Sequence, residues 1–261
     1  MADTTTAPTA PGVERPAERS PVKPILGLWV LLTVALEIFA IFVPARLMGV
    51  AAAKTMVDIK NSVTVFSISA APVAALVWAI ALYSLLRWRH GGGKEPPPED
   101  GPAIRGNAGV QIIWLIVSSV LCLFLFIWGL VAMQAANAQS STAKPLVVDV
   151  TGQQWLWTYS YPSAGGFRSD VLYLPVNRPV VFDVTSKDVV HSFWIVQMGV
   201  KIDANPGQIT QIGVTPDRIG SYVVRCAELC GLYHAYMVSQ VQVVSDAAFA
   251  RWLSTSGGSH G

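Results

Sequence analysis

Between Cys226 and Met237 the chain reads Cys-Ala-Glu-Leu-Cys-Gly-Leu-Tyr-His-Ala-Tyr-Met. Two thiols, an imidazole and a thioether therefore fall within one short segment. A second imidazole, His191, lies upstream in Asp188-Val189-Val190-His191-Ser192-Phe193. Thiolate and thioether are soft donors, imidazole is borderline, and a thioether is a poor zinc ligand. This donor set selects copper over zinc or iron. Two thiolates can bridge two metal ions, leaving one histidine on each, with Met237 and a backbone carbonyl between the cysteines as weak outer ligands. Three simpler arrangements compete. Cys226 and Cys230 could form a disulfide in an oxidising compartment, or join the histidines in a structural zinc site. Cys230, His234 and Met237, with His191 upstream, also have the spacing of a single-copper site. Met237 is idle in the first two, and Cys226 is idle in the third. Only the two-metal arrangement employs every donor.

The rest of the chain must place these donors. It has 261 residues, of which 52% are hydrophobic and only 13% charged, too apolar for an ordinary soluble domain. Residues 25–43 carry one charge, Glu37, and residues 62–86 and 109–133 carry none. About 20 helical residues cross the hydrocarbon core of a bilayer. The reading is three membrane-crossing helices at 25–43, 62–88 and 109–133. Trp88 and Trp114 stand near membrane interfaces, as anchoring tryptophans do. The first stretch also reads as a cleaved signal segment, with Ala51-Ala52-Ala53 downstream; the polar residues ahead of it favour a retained helix. Glu37 is expected to face other helices or a polar channel. Cys122, amid an apolar run, reads as a small hydrophobe.

Residues 1–24 are rich in Pro, Ala and Thr and are expected to be disordered. Residues 89–108 are expected to form a cytoplasmic loop, since Arg87, Arg89, Lys94 and Arg105 cluster there. That orientation puts the C-terminal part outside the cell. A polar linker, 134–144, leads to a domain at 145–245 made of short alternating runs: Leu146–Val150, Trp155–Tyr161, Val171–Leu174, Val180–Val184, Ile209–Val214, Tyr222–Arg225 and Val238–Val244. Turn residues separate them, which predicts an antiparallel sandwich or barrel. His191 is then expected on one loop and the Cys/Cys/His/Met cluster on another. Residues 246–261 form a C-terminal tail with a short amphipathic end.

Several ordered features together resemble one family. They are the helix pair, the run Gly152-Gln153-Gln154-Trp155-Leu156-Trp157-Thr158-Tyr159, the Asp188–Trp194 stretch, Lys201–Gly207, Gly220-Ser221-Tyr222 and the Cys/Cys/His/Met block. Over residues 62–245 the chain resembles cytochrome c oxidase subunit II, the CuA-bearing subunit of haem–copper oxidases. The resemblance implies a membrane-anchored protein with an all-β, cupredoxin-like Greek-key domain. It implies two copper ions, bridged by Cys226 and Cys230, with His191 and His234 as terminal ligands and Met237 and the Glu228 carbonyl completing the spheres. It further implies that the Glu228 side chain reaches a Mg²⁺ shared with the catalytic subunit, and that Trp155 accepts the electron from a cytochrome c. Alternation would place Trp155 and Trp157 on one sheet face, so a bend is needed to expose one of them. The partners implied are oxidase subunit I, other oxidase subunits, a soluble, membrane-bound or tethered cytochrome, and a bacterial-type cell membrane with the copper domain on its outer side; no nucleic acid is expected.

Three departures stand out. Gln111 occupies a position where the family often has a proton-conducting Glu, and a Pro usual after Trp114 is absent. The candidate helix at 25–43 is additional to the usual two. From Lys144 onward there are eight Lys/Arg and eight Asp/Glu, so electrostatic steering of a basic donor is expected to be weak. A nitric oxide reductase subunit, or a single-copper carrier or assembly protein, are the alternative functions. A quinol oxidase is disfavoured because all copper ligands are present.

Overall fold

The computed structural model describes residues 20–87, 106–138 and 144–257. Helix α1 spans Val22–Phe42, the short α2 spans Pro44–Leu47, α3 spans Lys54–Arg87 and α4 spans Ala108–Ala138. Three stretches are long and apolar enough to cross a membrane: Val22–Leu47, Lys54–Arg87 and Ala108–Gln134. Helix α1 packs along α3, where Ala71, Ala75 and Ala79 recur every four residues and are buried. Small side chains at that spacing let two helix backbones approach closely. The Trp29 indole N–H also donates to the Pro72 carbonyl at 2.8 Å. Glu37 is half-buried in α1. Helix α4 touches α3 sparsely and leaves most of its apolar surface exposed.

Helix α3 begins at Lys54, earlier than the expected 62, because residues 54–61 continue the helix in polar form. At 34 residues it is about 50 Å long, well beyond a ~30 Å hydrocarbon core. Its surplus first turns carry a Lys54–Asp58 ion pair at 2.8 Å and lean on the β-domain. The preceding segment is docked on that domain as well. Ala52 N–H donates to the Gln197 carbonyl at 2.8 Å, and the Ala52 carbonyl accepts from Asp217 N–H at 3.0 Å. Ala53 bridges to Pro216, and both alanines are fully buried. Helix α4 extends through 138, into part of the expected linker. The disorder expected for 1–24 needs correction at its end, because Val22, Lys23 and Pro24 already form the first turn of α1, where a proline is tolerated; residues 1–19 and most of the loop expected at 89–108 fall outside the described residues.

The C-terminal domain is a sandwich of two five-stranded sheets. Its strands are β1 (Leu146–Gln153), β2 (Leu156–Tyr161), β3 (Phe167–Ser169), β4 (Leu172–Pro175), β5 (Val180–Ser186), β6 (His191–Ile195), β7 (Val200–Ala204), β8 (Thr210–Val214), β9 (Gly220–Cys226) and β10 (Val238–Val244). One sheet runs β3-β2-β1-β5-β8 and the other β4-β10-β9-β6-β7. The expectation of a purely antiparallel sandwich needs correction, since β1–β5 and β4–β10 pair parallel. Alternate residues of β1, β5 and β9 point inward, as the two-residue pleat requires. Phe193 lies at the centre, with Trp157, Tyr159 and Phe182 edge-on at ring-centroid distances of 5.6, 6.4 and 5.2 Å. Helix α5 (Asp246–Gly257) closes one flank by stacking Trp252 on Tyr173 at 4.2 Å and burying Phe249.

Candidate metal centre

His191 is the first residue of β6 rather than a loop residue. Phe193 of β6 stands opposite Cys226, the last residue of β9, so two neighbouring strand ends present an imidazole and a thiol together. The other donors come from the segment leaving β9, in which a single 3-10 turn, His234–Tyr236, lifts His234 toward Cys230. Cys226 Sγ lies 3.7 Å from Cys230 Sγ and 3.9 Å from His191 Nδ1. Cys230 Sγ lies 3.5 Å from His234 Nδ1 and 3.9 Å from Met237 Sδ. The Glu228 carbonyl is 3.3 Å from Cys226 Sγ. All donors expected from the sequence therefore converge. His191, Cys226, Cys230 and Met237 are buried, His234 is half-buried and the Glu228 side chain is exposed.

This arrangement discriminates among the earlier alternatives. The sulfurs are far beyond the ~2.05 Å of a disulfide, and both cysteines are free. A buried thioether facing a thiol suits a soft metal and has no role at zinc. Each sulfur lies near one histidine nitrogen and one weaker donor, so the disulfide and zinc arrangements leave donors idle that this geometry brings together. Burial, with Cys226 alongside, pushes the metal-free Cys230 thiol up to about 12. Metal binding must therefore release its proton.

The neighbours that hold these donors were not legible as such in the sequence. Asp188 Oδ1 accepts from His191 Nε2 at 2.9 Å. That bond fixes the tautomer which leaves Nδ1 free to bind metal. The same carboxylate accepts from Gln154 N–H at 2.7 Å and Val189 N–H at 2.7 Å. Burial is the largest single influence and opposes its ionisation, but these bonds together outweigh it and hold Asp188 down to about 2. Replacing Asp188 by Asn should weaken copper binding by about tenfold, the lower end of what losing such an outer partner costs a metal site. Competition against a copper chelator measures this, and unchanged affinity would show that the carboxylate charge is immaterial. Gly152 leaves room for the His191 ring, because a Cβ there would sit 3.0 Å from His191 Cδ2 and 3.1 Å from Trp157 Cζ3, and one of the rings would have to shift.

Trp155 occupies a turn just ahead of β2, whereas Trp157 is in the core. The turn supplies the bend that alternation demanded. The Trp155 indole N–H donates to the Cys230 carbonyl at 3.2 Å, and Gln154 Nε2 donates to the same oxygen at 2.7 Å. Trp155 is thus tied directly to the backbone of a candidate ligand.

Comparison with known proteins agrees with this geometry. Residues 167–244 match the family model described as cytochrome c oxidase subunit II, periplasmic domain. Cytochrome c oxidase subunit 2 of Cereibacter sphaeroides is 30% identical over 226 residues, covering 72% of each chain. The chain belongs to the cytochrome c oxidase subunit II family. A probable cytochrome c oxidase subunit 2 of Streptomyces avermitilis is 27% identical over 230 residues, covering 71% of this chain and 70% of its own. The periplasmic domain of the Bradyrhizobium japonicum subunit II is 32% identical, with a TM-score of 0.44, and covers 46% of this chain and 99% of that one. This subunit II chain thus has membrane-crossing helices, a cupredoxin-like sandwich and a His/Cys group suited to the copper of its family.

Proposed function

We propose that this chain is the electron-accepting subunit of a haem–copper respiratory oxidase, taking electrons from a cytochrome c through a two-copper CuA centre. The carrying observation is the pair of buried sulfurs 3.7 Å apart, each with its own histidine nitrogen and weak donor. Two coppers held there would supply one-electron transfer, with the charge change spread over both and little reorganisation. Cys226 and Cys230 would provide shared thiolates, His191 and His234 one imidazole each, and Met237 and the Glu228 carbonyl the weaker donors. The two sheets hold these ligands in place, which suits a carrier that must change redox state with little movement.

The catalytic subunit packs on the exposed apolar face of α4, and O₂ is reduced within that subunit. Glu228, exposed on the ligand segment, offers one carboxylate to a Mg²⁺ shared with that subunit. The copper domain lies on the outer side of the membrane. Trp155 is the entry point, and its hydrogen bond to the Cys230 carbonyl couples an incoming electron to the ligand segment without either group being reduced. In the assembled oxidase, Trp155→Phe should slow oxidation of reduced cytochrome while leaving the copper absorption and EPR spectra intact. Collapse of those spectra instead would make Trp155 a structural residue.

Helix α1 is retained in the mature protein. The supporting facts are its Trp29–Pro72 hydrogen bond and the burial of Ala52 and Ala53 where a cleavage site was the alternative. Intact-mass measurement on the purified subunit should recover residues ahead of Ala51. A mature N-terminus near Ala53 would contradict it.

A further inference from the structure

Trp155 is only half-exposed, and an aromatic side chain of the ligand segment stands against it. Tyr233 packs edge-on to the Trp155 ring at a centroid distance of 4.8 Å, and Tyr236 follows at 6.4 Å from Tyr233. Gly231 makes this approach possible. Its φ is +114°, and a Cβ there would meet Trp155 Cζ2 at 3.3 Å and Gln154 Nε2 at 3.1 Å. The segment between Cys230 and His234 is therefore folded onto Trp155, and it brings Tyr233 to the surface above the copper ligands.

The surrounding surface is apolar. Leu232 is 81% exposed, Tyr236 77% and Leu156 51%, with Tyr233 at 50%. Charge is sparse. Residues 151–167 carry none, and the segment 226–237 carries only Glu228 apart from His234. Asp188, whose carboxylate lies beneath this segment, already accepts from His191, Gln154 and Val189. Exposed leucines and tyrosines gathered on one short segment are uncommon on a soluble face and mark a contact site. Tyrosine is favoured at such sites because it supplies large area at small entropic cost.

We propose that Tyr233 is the residue a protein electron donor contacts, and that it extends the uptake route outward from Trp155 to an apolar docking face. The partner that fits is a c-type cytochrome whose haem edge is ringed by uncharged, apolar side chains, not by the lysines that an acidic face would attract. The electron leaves the donor's ferrous haem, which becomes ferric, and reduces the copper centre; Tyr233 is neither oxidised nor deprotonated and only couples the two. This inference rests on the proposed role of Trp155 and extends it.

The test uses the assembled oxidase with Tyr233→Leu, Tyr233→Phe and Trp155→Phe. Two reductants are compared: a reduced c-type cytochrome from the same cells' membranes, and hexaammineruthenium(II) as a small donor. Losing one central aromatic contact should lower the rate with the cytochrome by about tenfold in Tyr233→Leu. The rate with the ruthenium complex should hold or rise, since Trp155 is then uncovered. Tyr233→Phe should stay near wild type, because the ring carries the contact. Equal losses with both reductants, or an altered copper EPR spectrum, would make Tyr233 a support for Trp155 or the ligand segment and overturn the proposal. Wild-type rates in Tyr233→Leu alongside a slow Trp155→Phe would overturn it too, while leaving the Trp155 route standing. If neither variant is slow, the Trp155 route itself fails.

Discussion

Cys226→Ser is expected to abolish the copper centre as completely as Cys230→Ser. A serine hydroxyl does not ionise near neutral pH and is a hard donor, so neither variant retains two bridging thiolates. Electron transfer from cytochrome to oxidase should fall by more than the ~100-fold that loss of an outer-shell partner can cost. The comparison discriminates because a single-copper site built on Cys230, His234, Met237 and His191 does not need Cys226. Copper content and the oxidase rate, measured on both variants, check this. A Cys226→Ser protein that still binds one copper and shuttles electrons would establish the single-copper alternative.

Phe193→Ala should give the largest stability effect in the β-domain. Phe193 is fully buried where Trp157, Tyr159 and Phe182 meet edge-on. Truncating a buried Phe typically costs about 3–5 kcal/mol, the transfer loss plus the cavity left behind. The site should suffer as well, because Phe193 sits two residues from His191 and opposite Cys226 across the β6–β9 ladder. Denaturant unfolding of the copper-free domain reads the loss directly. A cost below about 1 kcal/mol would mean that the surrounding rings collapse into the space.

The candidate donor cluster was legible because its chemistry is local: the Cys/Cys/His/Met spacing falls in one segment, and the odd donor set excludes most metals. The membrane helices were legible from uncharged runs, although α3 begins earlier than hydropathy suggests because its first turns are polar and lie against the β-domain. Strand β6 was hidden. Its sequence, His191-Ser192-Phe193-Trp194-Ile195, has the burial pattern of a strand enclosed on both faces, so no polar–apolar alternation marks it. That is why His191 was expected on a loop. The parallel pairings β1–β5 and β4–β10 join strands distant in sequence, which local pattern does not report. The supports of the site are non-local for the same reason. Asp188 was visible three residues before His191, but its bond to the Gln154 backbone crosses 34 residues. Gly152 and Gly231 look like ordinary turn glycines until His191 and Trp155 are placed beside them.

The most direct test of the central claim is copper per chain together with the EPR spectrum, on the full-length chain expressed without the catalytic subunit, purified in detergent and loaded with copper. Two coppers and a single unpaired electron shared equally between their nuclei are expected. One copper with the electron on a single nucleus, or a site filled by zinc in its place, would contradict it.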